Sequence, residues 1–353
     1  MRIVVTGATG NIGNALLHAL AGQGHRVHGI ARRPPDSGVG EVTWSALDLS
    51  DEASEPGLQR VVDGSDAVVN LAWAFQPMRR AAYLRRASVG ILDRVARAAL
   101  SVPSLHLVHV SSVAVYSPRR SSALIDESWP RHGIPGATYS RLKVEAEQRL
   151  VSLTRDAHAD HRVSVVRPCL VGQRQAGGPM LRCGAPAALP GRVLDHLPAV
   201  PVDERFGIQM VHADDVTDAL VRIVERRACG AFNLASEPLL RGPHIAAALG
   251  GRPIHVPQEL ARLAVATAWH AHLSPLDPGW VDMALQAPWV NSDRARQLLD
   301  WHPRHRAGEV LDELVRGMVA GTGSDTGALR PRQLLDGVRR AVMQGTVARR
   351  PLT

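Results

Sequence analysis

The strongest constraint on this chain lies at its start. Arg2–Thr6 is a short apolar stretch rich in β-branched residues, and it runs straight into Thr6-Gly7-Ala8-Thr9-Gly10-Asn11-Ile12-Gly13. From Asn11 onward apolar residues recur at helical spacing, with Ile12, Ala15, Leu16 and Leu20 on one face. A strand that passes through glycines into a helix lets the backbone turn tightly and approach a ligand closely. It also aims the positive end of the helix at negative charge. Three glycines alone would be weak evidence. Their place between an N-terminal strand and a helix predicts a pyrophosphate cradle made by Gly7, Thr9, Gly10, Asn11, Ile12 and Gly13.

Strand and helix patterns alternate beyond this loop. Arg26–Ala31 reads as a second strand, with further strands at residues 42–45, 67–71, 106–111 and 162–167. A polar helical stretch separates the third and fourth strands. Longer helices are expected over 81–100 and 140–154. The pattern predicts an α/β fold with a Rossmann-type, doubly wound parallel sheet. After Gly172 the texture changes, because Gly177, Gly178 and five prolines between 179 and 201 interrupt any regular period. Leu and Val persist there, as in a substrate-facing cap. Residues 210–225 return to strand and then helix, and from Ser236 the pattern is mostly helical with proline breaks. The expected organisation is a dinucleotide-binding domain over 1–172, joined by about 208–235. A smaller, mostly helical substrate part takes 173–207 and 236–320. A tail over 321–353 is expected to be a flexible link with a short helix near 332–343.

Composition removes several function classes. The 353 residues are 45% hydrophobic and 21% charged, ordinary values for a soluble protein. No apolar run approaches the roughly 20 residues of a membrane span, and the N-terminus lacks the pattern of a secretory signal. A cytoplasmic protein without a membrane partner is expected. Cys169, Cys183 and Cys229 form no CxxC pair and read as free thiols. Four histidine pairs have HxxH spacing (His25/His28, His106/His109, His158/His161, His302/His305), but none has a thiol partner or the HExxH arrangement. They read as structural or surface residues, and no metal is expected. The net charge is +8, but the arginines are mixed with acids and aromatics make up only 4% of the chain. That distribution argues against nucleic acid and suits an anionic dinucleotide on an Arg-rich surface.

The end of the second strand bears on the choice of cofactor. An acid there would bind the ribose 2′-hydroxyl of NAD, whereas this chain has Ala31-Arg32-Arg33. Two guanidinium groups suit a 2′-phosphate, so NADP(H) is favoured over NAD(H). Asp48 and Leu49, after the third strand, are placed to meet the adenine. Leu71 and Ala72 stand at the edge of the fourth.

Of the 41 basic residues, Lys143 is the only lysine, and it lies four residues after Tyr139, one of three tyrosines. On a helix the two share a face. A phenol has a reference pKa of about 10. A neighbouring ammonium is expected to lower it, so that Tyr139 can exchange a proton with a carbonyl or alcohol oxygen while hydride moves to or from the cofactor. Ser111 and Ser112 end the fifth strand, where a hydroxyl can hold the reacting oxygen.

Together these residues resemble the extended short-chain dehydrogenase/reductase family, also called the NAD-dependent epimerase/dehydratase family, over residues 1–318. Val110-Ser-Ser-Val-Ala-Val-Tyr116 looks like its serine motif and Tyr139–Lys143 like its catalytic helix. Arg167-Pro168-Cys-Leu170-Val171-Gly172 looks like the segment beside the nicotinamide. Val211-His-Ala-Asp-Asp215 and Leu298-Leu-Asp-Trp-His-Pro303 look like two later landmarks. In that serine motif the catalytic hydroxyl stands four residues before the motif tyrosine, here Tyr116, which selects Ser112. The resemblance implies Ser112, Tyr139 and Lys143 as catalytic residues. It implies cofactor contacts from Val110, Ser111, Pro168, Leu170 and Val171, and a homodimer through helices 81–100 and 140–154. Val113 and Ala114 replace the acids of family dehydratases, arguing against dehydration. Ile208 stands where many nucleotide-sugar members have an arginine on the diphosphate, although Arg192 or Arg205 could substitute. Ser88 stands in place of the family's structural asparagine.

The expected activity is reduction of a small-molecule carbonyl, or oxidation of an alcohol, with Tyr139 as general acid/base. Sugar or nucleotide-sugar epimerisation is the alternative, and a non-enzymatic dinucleotide sensor a third reading that has no need of Tyr139 and Lys143. Residues 173–207 and those after Ser236 are expected to line the substrate pocket, with Trp269, Trp280 and Trp289 in the core.

Overall fold

The computed structural model describes residues 1–35, 40–74, 80–184 and 190–331, so the helix expected near 332–343 lies outside the described residues. Seven strands form one parallel sheet: β1 (Arg2–Thr6), β2 (Arg26–Ala31), β3 (Thr43–Ala46), β4 (Ala67–Asn70), β5 (His106–Val110), β6 (Val163–Pro168) and β7 (Gly230–Leu234), in the order β7-β6-β5-β4-β1-β2-β3. Alternation within the strands sets the layers. Ile3 and Val5 of β1 belong to one apolar cluster and Val4 to another, and β4 repeats the split with Ala67 and Val69 against Val68. Strands buried on both faces need helices on both. The Ile3 side is covered by α1 (Asn11–Leu20) and α5 (Ala213–Arg226). The other side is covered by α2 (Glu55–Val62), α3 and α4 (Thr138–Asp156).

Helix α3 runs over the span expected as one helix, but in three parts: Ala81–Arg85, a π turn at Arg86–Gly90, and Ile91–Leu100. A π turn widens the backbone ring and breaks the ordinary hydrogen-bond ladder. Here the Ala87 carbonyl accepts the Ala74 N–H, 3.1 Å away, which ties the segment after β4 to the helix.

Strand β7 was not foreseen. Gly-Ala-Phe-Asn-Leu is poor in strand formers apart from Phe232. Pairing makes it one: Gly230 to Leu234 run in register with Ser164 to Pro168, and Phe232 is fully buried. The start of the tail also departs from expectation. Thr322 Oγ1 donates to the Arg174 carbonyl, Thr326 Oγ1 donates to the Thr9 carbonyl at 2.9 Å, and Leu329 is buried, so residues 321–331 pack back onto the dinucleotide loop instead of forming a flexible link.

The irregular 173–207 stretch contains the helix Gly177–Gly184, a 3-10 helix Gly191–His196 and the strand Ala199–Val202, which pairs with Arg252–His255. The C-terminal part is mostly helical: Gln258–His270, α6 (Gly279–Gln286), Asp293–Leu299 and Ala307–Ala320. A separate cluster around Met210, Leu240, Val310, Leu311 and Leu314 holds it to the sheet domain. No described helix is long and apolar enough to cross a membrane.

Candidate active site

The strand order reverses between β1 and β4, which opens a crevice at their carboxyl ends. Gly7 sits there at φ +65°, and a Cβ on it would lie 2.7 Å from the Ala72 nitrogen. A Cβ on Gly13 would lie 2.3 Å from the Gly7 oxygen. Both positions require glycine. Gly10 donates to the Gly7 carbonyl at 2.9 Å and precedes α1 with no side chain capping the first turn. A cradle that any Cβ would fill, at an uncapped helix N-terminus, fits a dinucleotide pyrophosphate.

The walls of the crevice are fixed by polar contacts. Thr6 Oγ1 donates to Asn70 Oδ1 at 2.6 Å, and Asn70 Nδ2 lies 3.2 Å from His109 Nδ1. Burial, with Lys143 nearby, pushes the His109 imidazole down to about 3, so it stays neutral. Leu71 and Ala72 follow directly beside Gly7. Asn11 Nδ2 donates to the Val171 carbonyl, and Gln173 Nε2 donates to Asn11 Oδ1 at 2.7 Å, which joins the glycine loop to the segment carrying Pro168, Leu170 and Val171. Ile12 packs against the core cluster on the α1 side. Arg32 and Arg33 follow β2 and are exposed, with Arg32 Nη1 3.4 Å from the Tyr83 hydroxyl. Asp48 turns Oδ1 back onto the Ser50 N–H and hydroxyl, and the Leu49 side chain is buried in the core.

Helix α4 brings Tyr139 and Lys143 to the end of β5. Ser140 Oγ donates to the Ala114 carbonyl at 2.6 Å and accepts the Ile134 N–H at 2.7 Å, locking the first turn of α4 against the serine segment. The Ser112 hydroxyl pairs with Tyr139 and accepts the Ala114 N–H. Ser111 is buried, and its N–H donates to the Val166 carbonyl. Lys143 is also buried. Its Nζ donates to the Val110 carbonyl at 3.1 Å and lies 3.7 Å from the Trp73 ring centroid. Burial pushes the Tyr139 phenol up to about 12, with Ser112 pulling the other way, and pushes the Lys143 ammonium down to about 7 against the opposing pull of Glu147. In the protein alone the phenol is thus raised, not lowered as expected, because desolvation outweighs the pull of the Ser112 hydrogen bond. Ser88 is buried in the π turn of α3, and its hydroxyl has no hydrogen-bond partner.

Several residues around the site were not singled out from sequence. Glu147, one turn beyond Lys143, is buried and accepts from Arg167 Nε at 2.9 Å and Nη2 at 2.7 Å, and from Arg131 at 2.9 Å. Burial alone would raise its carboxyl pKa, but Arg167 holds it below the usual range. Arg167 also donates to the Tyr116 hydroxyl, which donates in turn to Asn233 of β7. The four-residue spacing from Lys143 to Glu147 was the available signal. Trp73 and Trp280 flank Tyr139, and both are half-buried. Of the three tryptophans expected in the core only Trp289 is buried, while Trp269 and Trp280 are half-exposed.

His212, Asp214 and His305 gather ligand-type atoms within 4.8 Å. His212 Nδ1, however, already accepts the Asp214 N–H, and its Nε2 lies 3.4 Å from Glu313 Oε2. Ile208 lies in a two-residue strand, and Arg205, one candidate to substitute there, is engaged by both oxygens of Asp203.

The profile of the NAD dependent epimerase/dehydratase family matches residues 3–235. The chain belongs to that family. A 3-diazoavenalumate denitrifying reductase of a Streptomyces species is 28% identical over 325 residues, covering 86% of this chain and 97% of that protein. A 4-hydroxy-2-methyl-3-oxo-4-farnesyl-3,4-dihydroquinoline-1-oxide ketoreductase of Stigmatella aurantiaca is 30% identical over 148 residues, covering 42% of this chain and 44% of that protein. Among solved structures, a UDP-N-acetylglucosamine 4-epimerase of Bacillus cereus superposes with a TM-score of 0.64 at 15% identity, over 90% of this chain and 99% of the other. That likeness establishes the Rossmann-type fold. Family and relatives together identify an enzyme of the NAD-dependent oxidoreductase/epimerase type.

Proposed function

We propose that the protein is an NADP(H)-dependent reductase of a small-molecule carbonyl. The observation that carries this reading is Tyr139, which keeps its proton at neutral pH and pairs with Ser112 at the carboxyl end of β5, where the crevice opens. When bound, the cofactor supplies a hydride to the carbonyl carbon and is left oxidised. Ser112 holds the carbonyl oxygen. Tyr139 gives that oxygen its phenolic proton, so that C=O becomes CH–OH, and the phenolate left behind recovers a proton from solvent. Lys143, fixed on the Val110 carbonyl, supports that charge from one turn away. Gly7, Gly10 and Gly13 seat the pyrophosphate, and Arg32 and Arg33 are placed for the 2′-phosphate. The reductase names of the two relatives support reduction, and Val113 and Ala114 supply no acid for dehydration.

NADPH consumption with a panel of carbonyl compounds tests the reading. Tyr139→Phe should lower kcat by about 10²–10⁴-fold with NADPH binding kept, as read by cofactor fluorescence. Undiminished turnover in that variant removes Tyr139 from the chemistry. Product isomerised with no net NADPH consumption, and cofactor retained through purification, would establish epimerisation instead.

A further inference from the structure

Two tryptophans far apart in sequence converge on the Tyr139 ring. Trp280, in the first turn of α6, lies 5.6 Å away with its plane tilted 30°, and Trp73 meets Tyr139 edge-on at 6.3 Å and 80°. All three rings are only half-buried, so each keeps part of its surface open beside the proton donor. Rings packed to fill a core are covered on both faces. Rings left half-covered around a reactive hydroxyl instead keep flat apolar area and aromatic quadrupoles for whatever meets that hydroxyl.

Backbone contacts hold this wall in place. A Cβ on Gly279 would lie 2.5 Å from the Gly136 oxygen and 2.7 Å from the Ala137 Cα, so α6 meets the turn before α4 backbone to backbone. Asp282, two residues beyond Trp280, is gripped by Arg262 at 3.0 and 3.1 Å. Trp73 is fixed by the Ala74 N–H on the Ala87 carbonyl and by the Lys143 ammonium over its ring. Val113, next to Ser112, adds another apolar half-buried side chain.

We propose that Trp73 and Trp280 form an aromatic clamp that selects a flat, conjugated carbonyl, an aryl ketone or aryl aldehyde, with its oxygen on Ser112 and Tyr139. The clamp rests on the reading of the site as a carbonyl reductase.

Methyl phenyl ketone and methyl cyclohexyl ketone have the same carbonyl and carbon count and differ in flatness. The phenyl ketone is intrinsically the less reactive, so a preference for it reports binding. Calorimetry on the NADP⁺-loaded protein should give about tenfold tighter binding of the phenyl ketone. Trp280→Ala should cut the phenyl-over-cyclohexyl ratio of kcat/KM about tenfold, mostly through KM, and Trp280→Phe should keep it. Equal binding of the two ketones, or an equal loss for both in Trp280→Ala, overturns the clamp and leaves carbonyl reduction standing. Preferential binding of the phenyl ketone without reduction of either overturns the reductase reading and leaves the clamp standing.

Discussion

The ion pair beneath the site can be taken apart one partner at a time. Glu147 and Arg167 meet through two parallel hydrogen bonds of 2.9 and 2.7 Å, and both side chains are 3% exposed. Glu147→Leu leaves the Arg167 guanidinium buried without its carboxylate. Stranding one member of a buried pair costs about 3–5 kcal/mol. For a chain of this size that corresponds to a fall in Tm of roughly 4–7 °C. Arg131 also reaches Glu147, but its side chain is 42% exposed and regains water when the carboxylate goes, so its share is small. Arg167→Met should cost a similar amount by stranding Glu147. The double variant Glu147→Leu/Arg167→Met strands neither charge and should cost less than either single variant, the difference from the summed single losses being the coupling energy of the pair. Thermal and urea unfolding followed by circular dichroism on all four proteins closes the cycle. Losses that simply add in the double variant would show that the two side chains act separately and that the pair is not the unit described.

Three further outcomes follow from the same geometry. Gly13→Ala forces a Cβ to 2.3 Å from the Gly7 oxygen and should lower both stability and cofactor affinity, whereas Gly10→Ala, at 3.1 Å, should fold normally and lose at least about tenfold in NADP(H) affinity by calorimetry; full affinity in Gly10→Ala contradicts the cradle. Arg32→Ala/Arg33→Ala should weaken NADPH binding about 10–100-fold and leave NADH nearly unchanged, and a parallel loss of both cofactors refutes the 2′-phosphate assignment. Lys143 has its pKa pushed down to about 7 in the folded protein against 10.5 as its ordinary value, so its charge destabilises the fold fully below pH 7, and that cost fades as pH rises to 10.5. Lys143→Met should therefore melt several degrees above the parent at pH 6 and level with it near pH 10.5, and a gap that does not close with pH would contradict the burial argument.

The glycine loop and the Tyr139–Lys143 spacing were legible because both are local: a strand, a turn and one helical turn fix which atoms meet. The positions of strands β1 to β6 were legible for the same reason, though not their order in the sheet. Strand β7 was not, since Gly230-Ala-Phe-Asn-Leu234 becomes a strand only when β6 offers it an edge and Tyr116 takes up Asn233. Trp280 reaches Tyr139 through the close backbone approach at Gly279 and Gly136, a contact between segments about 140 residues apart that no periodicity encodes. The raised pKa of the Tyr139 phenol was not legible because sequence shows the nearby ammonium and conceals the burial of both groups. Asp48 follows the familiar habit of an aspartate closing its own turn, here with Oδ1 on Ser50.

The hydrogen bond from Thr326 to the Thr9 carbonyl spans 317 positions of the chain. During synthesis the glycine loop precedes by 317 residues the hydroxyl that steadies it. The loop therefore waits, unfinished at Thr9, through the making of the sheet, the substrate helices and the turn at Gly321. A chain that stops short of Thr326 has every glycine of the cradle and lacks the hydroxyl bonded to it at Thr9.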